Sequence, residues 1–217
     1  PIYIEPSSGN HTHTIIFMHG LGNNPENFIE MFNQSLYIKN KNTTKIVLLR
    51  APEMKMTYSE GEKESSWFDI FGFPIDSADT YNSEDAKNSS NYLKQIIDDE
   101  ARLLNGSYNK IYIGGHSQGA CVSLYTGYTV DYLLGGVIVF SGILFPQANI
   151  SSNKEDLNVF LAHGNEDKAI PFQFHLETVK NISDYKGVKK FYYEGHGNSI
   201  SDQEKLDMSG FLNDTMI

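Results

Sequence analysis

The chain of 217 residues contains only one cysteine, Cys121. A single thiol excludes an internal disulfide, which separates this chain from the small secreted proteins that disulfides hold together. Cys121 lies on a predicted helix, where we expect it to be buried as a small apolar residue rather than reactive. No charged segment followed by an apolar one, the pattern of a signal peptide, follows Pro1. These features favour a cytoplasmic location.

Asparagine and serine are frequent, and the Asn-x-Ser/Thr pattern of N-glycosylation occurs repeatedly. In a secretory protein these sites would matter. The alternative is that a chain rich in both residues forms the pattern by composition, and the cysteine count favours this alternative. The pattern begins at Asn10, Asn33, Asn42, Asn88, Asn105, Asn149, Asn181 and Asn213.

Positive charge is scarce, because 17 Lys and Arg face 27 Asp and Glu for a formal net charge of -10. Nucleic acid is therefore not an expected partner, since phosphate binding needs clustered cations. No apolar run approaches the length that spans a bilayer. The pair His11 and His13 has no Cys, Asp or Glu nearby to complete a metal site, so we expect neither a metal nor another cofactor.

Apolar runs alternate with amphipathic stretches along the whole chain. Strands are predicted at 14–18, 45–49, 110–114, 136–140, 158–162 and 188–193. Helices are predicted after Asn24-Pro25, after a cap at Ser83, from about Phe172, and after Ser201, with Glu204 completing a capping box. Alternating strands and helices predict an α/β fold with a mostly parallel sheet covered on both faces, as one domain over residues 1–217.

Residues 50–82 interrupt this alternation with a long segment that contains Pro52, Gly61, Gly72 and Pro74. A loop of this length in a compact domain is usually functional or disordered. Its many apolar side chains argue against disorder. Two interpretations stay open and can hold together: the segment packs on the core as an irregular flap, or it lines a groove for an apolar ligand. The apolar side chains are Met54, Met56, Trp67, Phe68, Phe71 and Phe73.

The most informative motif is Gly-His-Ser-Gln-Gly at 115–119, which follows a predicted strand and begins a predicted helix. This context is that of a nucleophile elbow, in which a strained turn exposes the hydroxyl of Ser117. The turn needs flanking residues with almost no side chain, and Gly115 and Gly119 meet that need. The alternative is a glycine-rich turn with a surface serine, but the strand and the helix favour the nucleophile.

A serine nucleophile needs a general base that a third group orients. In elbow enzymes the acid follows a later strand and the base comes near the end of the chain. Asp167 follows the strand at 158–162, with Glu166 as the alternative acid. His196 follows the strand at 188–193, so Ser117, Asp167 and His196 are the predicted catalytic residues.

Acyl transfer also needs hydrogen-bond donors for the developing oxyanion. The backbone N–H of Gln118, directly after the nucleophile, is one predicted donor. The other comes from the loop after the first predicted strand, His-Gly-Leu-Gly at 19–22, where we select the N–H of Leu21.

Together these motifs make the sequence resemble the acyl-protein thioesterase and lysophospholipase (carboxylesterase) family of α/β-hydrolases. The resemblance rests on 17–22, 50–52, 66–70, 115–119, 163–167 and 193–195. It implies an α/β-hydrolase fold and a serine hydrolase that cleaves fatty-acyl thioesters or carboxylic esters through an acyl-enzyme. It also implies that the 50–82 segment forms part of the acyl-binding surface, through Trp67, Phe71 and Phe73, with Trp67 mainly structural. The substrate would be an acylated protein or a small acyl ester, with transient membrane contact conceivable at Phe71 and Phe73. The oligomeric state stays open.

Two positions depart from the family pattern. Asn23 replaces an aspartate after His-Gly-Leu-Gly. Aligned without gaps, Asn198 occupies the position of the catalytic histidine, and His196 lies two residues earlier. Either the loop is rearranged so that His196 serves, or the base is lost and the chain is an inactive hydrolase retained as a binding or assembly subunit. The intact elbow and acid favour the enzyme.

Overall fold

A computed structural model describes all residues from 1 to 217. The strands are β1 Ile2–Ile4, β2 His13–Met18, β3 Thr44–Leu49, β4 Glu53–Lys55, β5 Lys63–Ser65, β6 Ile111–His116, β7 Gly136–Phe140, β8 Val159–Gly164 and β9 Val188–Tyr193. The α-helices are α1 Ile29–Asn33, α2 Ser83–Leu103, α3 Gln118–Thr129, α4 Phe172–Val179 and α5 Asp202–Thr215. Each of the six predicted strands is present, within two residues at either end.

Seven strands form one sheet in the order β1-β3-β2-β6-β7-β8-β9. All neighbouring pairs are parallel except β1, which pairs antiparallel with β3 at one edge. The prediction of a mostly parallel sheet is therefore confirmed. Because the parallel strands point the same way, their carboxyl ends and the loops that follow them meet at one edge, where α/β proteins place their functional groups.

Helices cover both faces of this sheet. On one face a cluster of 37 buried residues joins the strands to α2, α3 and α4, through side chains such as Leu93, Leu124 and Phe174. On the other face 18 buried residues join the strands to α1 and α5, with Phe32 and Phe211 among them. Side chains alternate between faces along a strand, so every central strand contributes to both clusters.

The helix ends differ in detail from the predictions. Asn82, not Ser83, is the N-cap of α2, because its side chain accepts hydrogen bonds from the N–H groups of Glu84 and Asp85. The helix expected after Asn24-Pro25 begins as a 3₁₀ turn over 25–28 and continues as the short α1. The capping box at Ser201 is confirmed. No helix has the length and apolar character needed to cross a membrane.

The 50–82 segment is ordered rather than a simple loop. β4 and β5 form a small antiparallel hairpin that the sequence analysis did not predict. Farther along, Trp67, Phe68, Ile70 and Ile75 are buried in the larger core cluster. Phe71 and Phe73 instead remain about half exposed. Most of the apolar side chains of this segment therefore pack on the core.

Candidate active site

Ser117 lies between the end of β6 and the start of α3, with φ of 54° and ψ of -115°. A non-glycine residue rarely adopts positive φ, and such strain is typical of functional turns. The turn is packed against β2 so closely that a β-carbon on Gly119 would lie 2.2 Å from the carbonyl oxygen of Met18. A β-carbon on Gly115 would lie 2.4 Å from the carbonyl carbon of Gly119. These contacts explain why both positions are glycine.

Ser117 opens into a small cavity of about 190 Å³ at the carboxyl edge of the sheet. A larger polar groove of about 650 Å³ adjoins this cavity. Asn23, His116 and Asn198 line both. The groove extends between α1 and the start of α5. The remaining residues of the small cavity are Gly20, Leu21, Phe73 and Ala169.

Of the two predicted oxyanion donors, Leu21 lines this cavity and Gln118 directly follows Ser117 in the chain. The N–H of Leu21 makes no hydrogen bond within the protein, whereas the next two residues of the loop use theirs. The N–H of Gln118 is the first of α3, and the first N–H groups of a helix have no partner within it. Both donors are thus available to a developing negative charge.

The side chain of Gln118 has a structural role that the sequence analysis did not identify. Its Oε1 accepts hydrogen bonds from Ser66 Oγ and Trp67 N, each at 3.0 Å. Its Nε2 donates to the carbonyl oxygen of Phe68 at 2.9 Å. Every polar atom of this buried amide is therefore used to attach the 50–82 segment to the elbow. The motifs at 66–70 and 115–119 are a single packed unit.

Trp67 does not contact the cavity beside Ser117, which corrects its assignment to the substrate-binding surface. It is 2% exposed, and its Nε1 donates to the carbonyl oxygen of His19 at 2.8 Å. Its ring stacks on Tyr92, on the side of a separate cavity. Of the two exposed phenylalanines, Phe73 lines the cavity beside Ser117 and Phe71 does not. Trp67 is structural, as the resemblance implies.

Asp167 lies just after β8 and is buried, as expected for an orienting acid. Its Oδ1 accepts hydrogen bonds from the N–H groups of Ala169 and Ile170, at 2.9 and 2.8 Å. Its Oδ2 accepts a hydrogen bond of 2.8 Å from Nδ2 of Asn198. The alternative acid, Glu166, lies beside it and is exposed. Two backbone N–H groups therefore fix the carboxylate of Asp167, and its remaining oxygen binds the amide of Asn198.

His196 does not reach this carboxylate, so its assignment as the partner of Asp167 is wrong in this conformation. Its Nε2 donates to Glu204 Oε2 at 2.9 Å and to the carbonyl oxygen of Ser199 at 3.0 Å. Burial raises the pKa of Glu204, although hydrogen bonds from Ser201 and the charge of His196 oppose the shift. The loop after β9 thus directs the histidine to α5, and position 198 faces the acid.

His163, on β8, is the remaining imidazole near Asp167. Its Nε2 donates to the carbonyl oxygen of Ile170 at 2.9 Å and lies 3.4 Å from Asp167 Oδ2. Burial lowers the pKa of His163. The ring also stacks on His175 at 4.3 Å between ring centres. It is buried beside the acid and does not line the cavity of Ser117.

Comparison with known proteins agrees with this architecture. The family model described as phospholipase/carboxylesterase matches residues 2–216. Acyl-protein thioesterase 1 of Debaryomyces hansenii is 33% identical over 212 residues, covering 93% of this chain and 90% of the relative. Acyl-protein thioesterase 1 of Schizosaccharomyces pombe is 31% identical, covering 97% of this chain and 93% of the relative.

The crystal structure of Arabidopsis thaliana SOBER1 superposes with a TM-score of 0.79 at 21% identity, covering 94% of this chain and 99% of that one. This likeness confirms the predicted α/β-hydrolase fold. The chain belongs to the phospholipase/carboxylesterase family of hydrolases and is an enzyme of the carboxylesterase type.

Proposed function

We propose that this chain hydrolyses acyl thioesters or carboxylic esters through an acyl-enzyme on Ser117. The observation that carries the proposal is the strained turn that presents Ser117 to a cavity beside the free N–H of Leu21. The serine oxygen attacks the acyl carbon, its proton leaves to a base, and the thiolate or alkoxide departs. Water then releases the acid from Ser117 by the same route.

Two parts of the substrate are proposed to bind on opposite sides of the serine. Phe73, with Leu21, supplies an apolar wall for the acyl chain. The polar groove beyond His116 suits the released portion, since asparagine, glutamine and serine side chains line it. Relatives named acyl-protein thioesterase support an acylated protein as substrate. Exposed Phe71 and Phe73 would allow transient contact with a membrane that holds such a protein.

Thioesters are the favoured substrates because Asn198, and not a histidine, joins Asp167 to the cavity of Ser117. An amide such as Asn198 cannot accept the serine proton near neutral pH. A thiol has a pKa of about 8.5, so a thiolate leaves without the protonation that an alkoxide requires. The slower the proton transfer, the more the reaction depends on a good leaving group.

The test is covalent labelling of the purified protein with a fluorophosphonate probe, followed by mass spectrometry of the modified peptide. We expect Ser117 to be labelled, and Ser117→Ala to reduce hydrolysis of a nitrophenyl ester and of an acyl thioester to the uncatalysed rate. Ser123→Ala on the same buried helix is the control for nonspecific effects. Absence of both labelling and turnover would contradict the proposal and leave the alternative of a binding or assembly subunit.

A further inference from the structure

We propose that His116 accepts the proton of Ser117 in this enzyme, in place of a histidine at position 198. The inference rests on the proposed hydrolysis at Ser117 and names the base that the reaction needs. His116 immediately precedes the nucleophile in the sequence, at the end of β6.

The position of the His116 ring is the first argument. A β-carbon placed on Gly20 would lie 3.3 Å from His116 Nδ1 and 3.3 Å from Ser117 Cβ. The imidazole nitrogen and the serine side chain therefore border the same small space, over the loop that carries the oxyanion donor. Because both side chains line one small cavity, a single water molecule there can carry the proton between them.

Elimination of the other imidazoles is the second argument. Both nitrogens of His19 are bonded within the protein, to the carbonyl of Gly20 and the N–H of Ala51. His163 and His196 donate to other acceptors, as described above. His116 is the single side chain with a titratable nitrogen among the residues that line the cavity of Ser117.

The state of the His116 ring is the third argument. Its Nε2 is shielded from solvent and has no hydrogen-bond partner of normal geometry. Burial lowers the pKa of His116 to about 4; the carbonyl of Asn198 opposes this shift and the charge of His196 adds to it. The ring is therefore neutral near pH 7. The proposal places the ring proton on Nε2, which leaves the lone pair on Nδ1, the nitrogen that borders the same space as the Ser117 side chain.

The proposed step balances as an acyl transfer. The Ser117 Oγ–H proton moves to Nδ1 of His116 while Oγ bonds to the acyl carbon. Collapse of the oxyanion breaks the carbon–sulfur bond, and the thiolate takes up the proton from the imidazolium or from water. A water molecule then attacks the acyl carbon and gives a proton to His116. Collapse of the second oxyanion breaks the bond between the acyl carbon and Oγ, the acid leaves, and the imidazolium returns the proton to Ser117 Oγ. A base with so low a pKa is weak, which agrees with a preference for thioesters.

A double-mutant cycle tests this role on the full-length protein, with acyl thioester hydrolysis as the measurement. We expect His116→Gln to lower kcat/KM by roughly 100-fold in the natural background, the lower range for loss of general-base catalysis. In the Asn198→His background the new imidazole takes over, so the loss caused by His116→Gln should be at least ten times smaller. Equal losses in both backgrounds would overturn the proposal, because they would show that His116 acts only by supporting the elbow. No loss in the natural background would also overturn it.

The pH profile of kcat/KM provides a readout that a purely structural residue would not move. The titratable groups along the groove are Glu30, Tyr37, Asp202 and Lys205, and the charge of His196 also acts on the ring. With His116 as the base, kcat/KM should stay level from about pH 5 to pH 8 and fall below that, since the base must be unprotonated. A continuous rise with hydroxide concentration through this range would contradict the assignment. If Ser117→Ala retained the natural rate, the failure would lie in the proposed function instead.

Discussion

Two halves of the active site differ in how closely they follow the family pattern. The half built from the elbow and the loop after β2 keeps its serine, its glycines and its free N–H donor. The half built from the loops after β8 and β9 keeps the acid, but Asn198 stands where the base belongs. Under the proposed mechanism, the first half holds the groups that would stabilise an oxyanion, and the second half differs in the group that would move a proton.

The difference follows from how tightly each half is packed. A side chain on Gly119 would overlap the backbone of β2, so that position cannot vary without distorting the sheet. Position 198 lies in a loop between β9 and α5, where an amide replaces an imidazole and still donates to Asp167. Close packing limits which residues can occupy the elbow, whereas position 198 is limited only by the need for a side chain that donates a hydrogen bond to Asp167.

Restoring a histidine at position 198 should produce the largest change. In Asn198→His, the new ring can donate to Asp167 Oδ2, as Nδ2 of the asparagine does now. We expect hydrolysis of oxygen esters to rise by roughly 100- to 10,000-fold, the range that a positioned general base contributes. Steady-state kinetics with a nitrophenyl ester measure this gain.

Asn198→Gln is the control for this experiment, because it changes the side chain without providing a proton acceptor. We expect no gain from it. An Asn198→His variant that folds and is no faster than the natural protein would show that the missing imidazole is not what limits the reaction. The acid and the serine would then be placed too far apart for a histidine to join them.

The sequence alone predicts most of the first half. Alternating apolar runs locate the strands of the sheet, and the glycines at 115 and 119 identify the elbow because only a turn this close to β2 requires both. The second half is less predictable, because a sequence places His196 and Asn198 on one loop without showing which of them faces the acid. The bond from His196 to Glu204 joins a loop to a helix, and no local pattern encodes it.

His116 and Trp67 show the same limit. His116 lies within the elbow motif, where the sequence suggests only that it packs. Its position over Gly20 depends on how the loop after β2 approaches β6. Trp67 is in an apolar segment that suggests a binding surface, but Gln118 turns that part of the segment inward. Both outcomes depend on contacts between residues far apart in sequence.

A substitution in the elbow should destabilise the fold by an intermediate amount. In Gly119→Ala, the new methyl group would overlap the carbonyl of Met18, which must move. Such overpacking costs roughly 1–3 kcal/mol of unfolding free energy, or more where backbone is displaced. At about 2–4 °C per kcal/mol for a chain of this length, thermal unfolding measured by circular dichroism should show a clear decrease in Tm.

Gly210→Ala is the matched control, since nothing lies within 4 Å of a β-carbon at that position of α5. Alanine there should stabilise the helix by about 1 kcal/mol. A decrease in Tm for Gly119→Ala together with an increase for Gly210→Ala would support the packing argument, whereas an unchanged Tm for Gly119→Ala would refute the claim that packing restrains the elbow.

The smallest expected effect concerns Ser201, the N-cap of α5, at the end of the loop after β9. Ser201 Oγ accepts the N–H of Glu204 at 3.2 Å and donates to its Oε2 at 3.0 Å, the same oxygen that binds His196. Ser201→Ala should lower the free energy of unfolding by about 1 kcal/mol, because α5 loses its N-cap.

Ser199→Ala is the control, since only the backbone carbonyl of Ser199 bonds to His196. This variant should change the free energy of unfolding by less than about 0.5 kcal/mol. Chemical denaturation measures both variants. If both variants lose the same stability, the Ser201 side chain does not stabilise α5 as an N-cap.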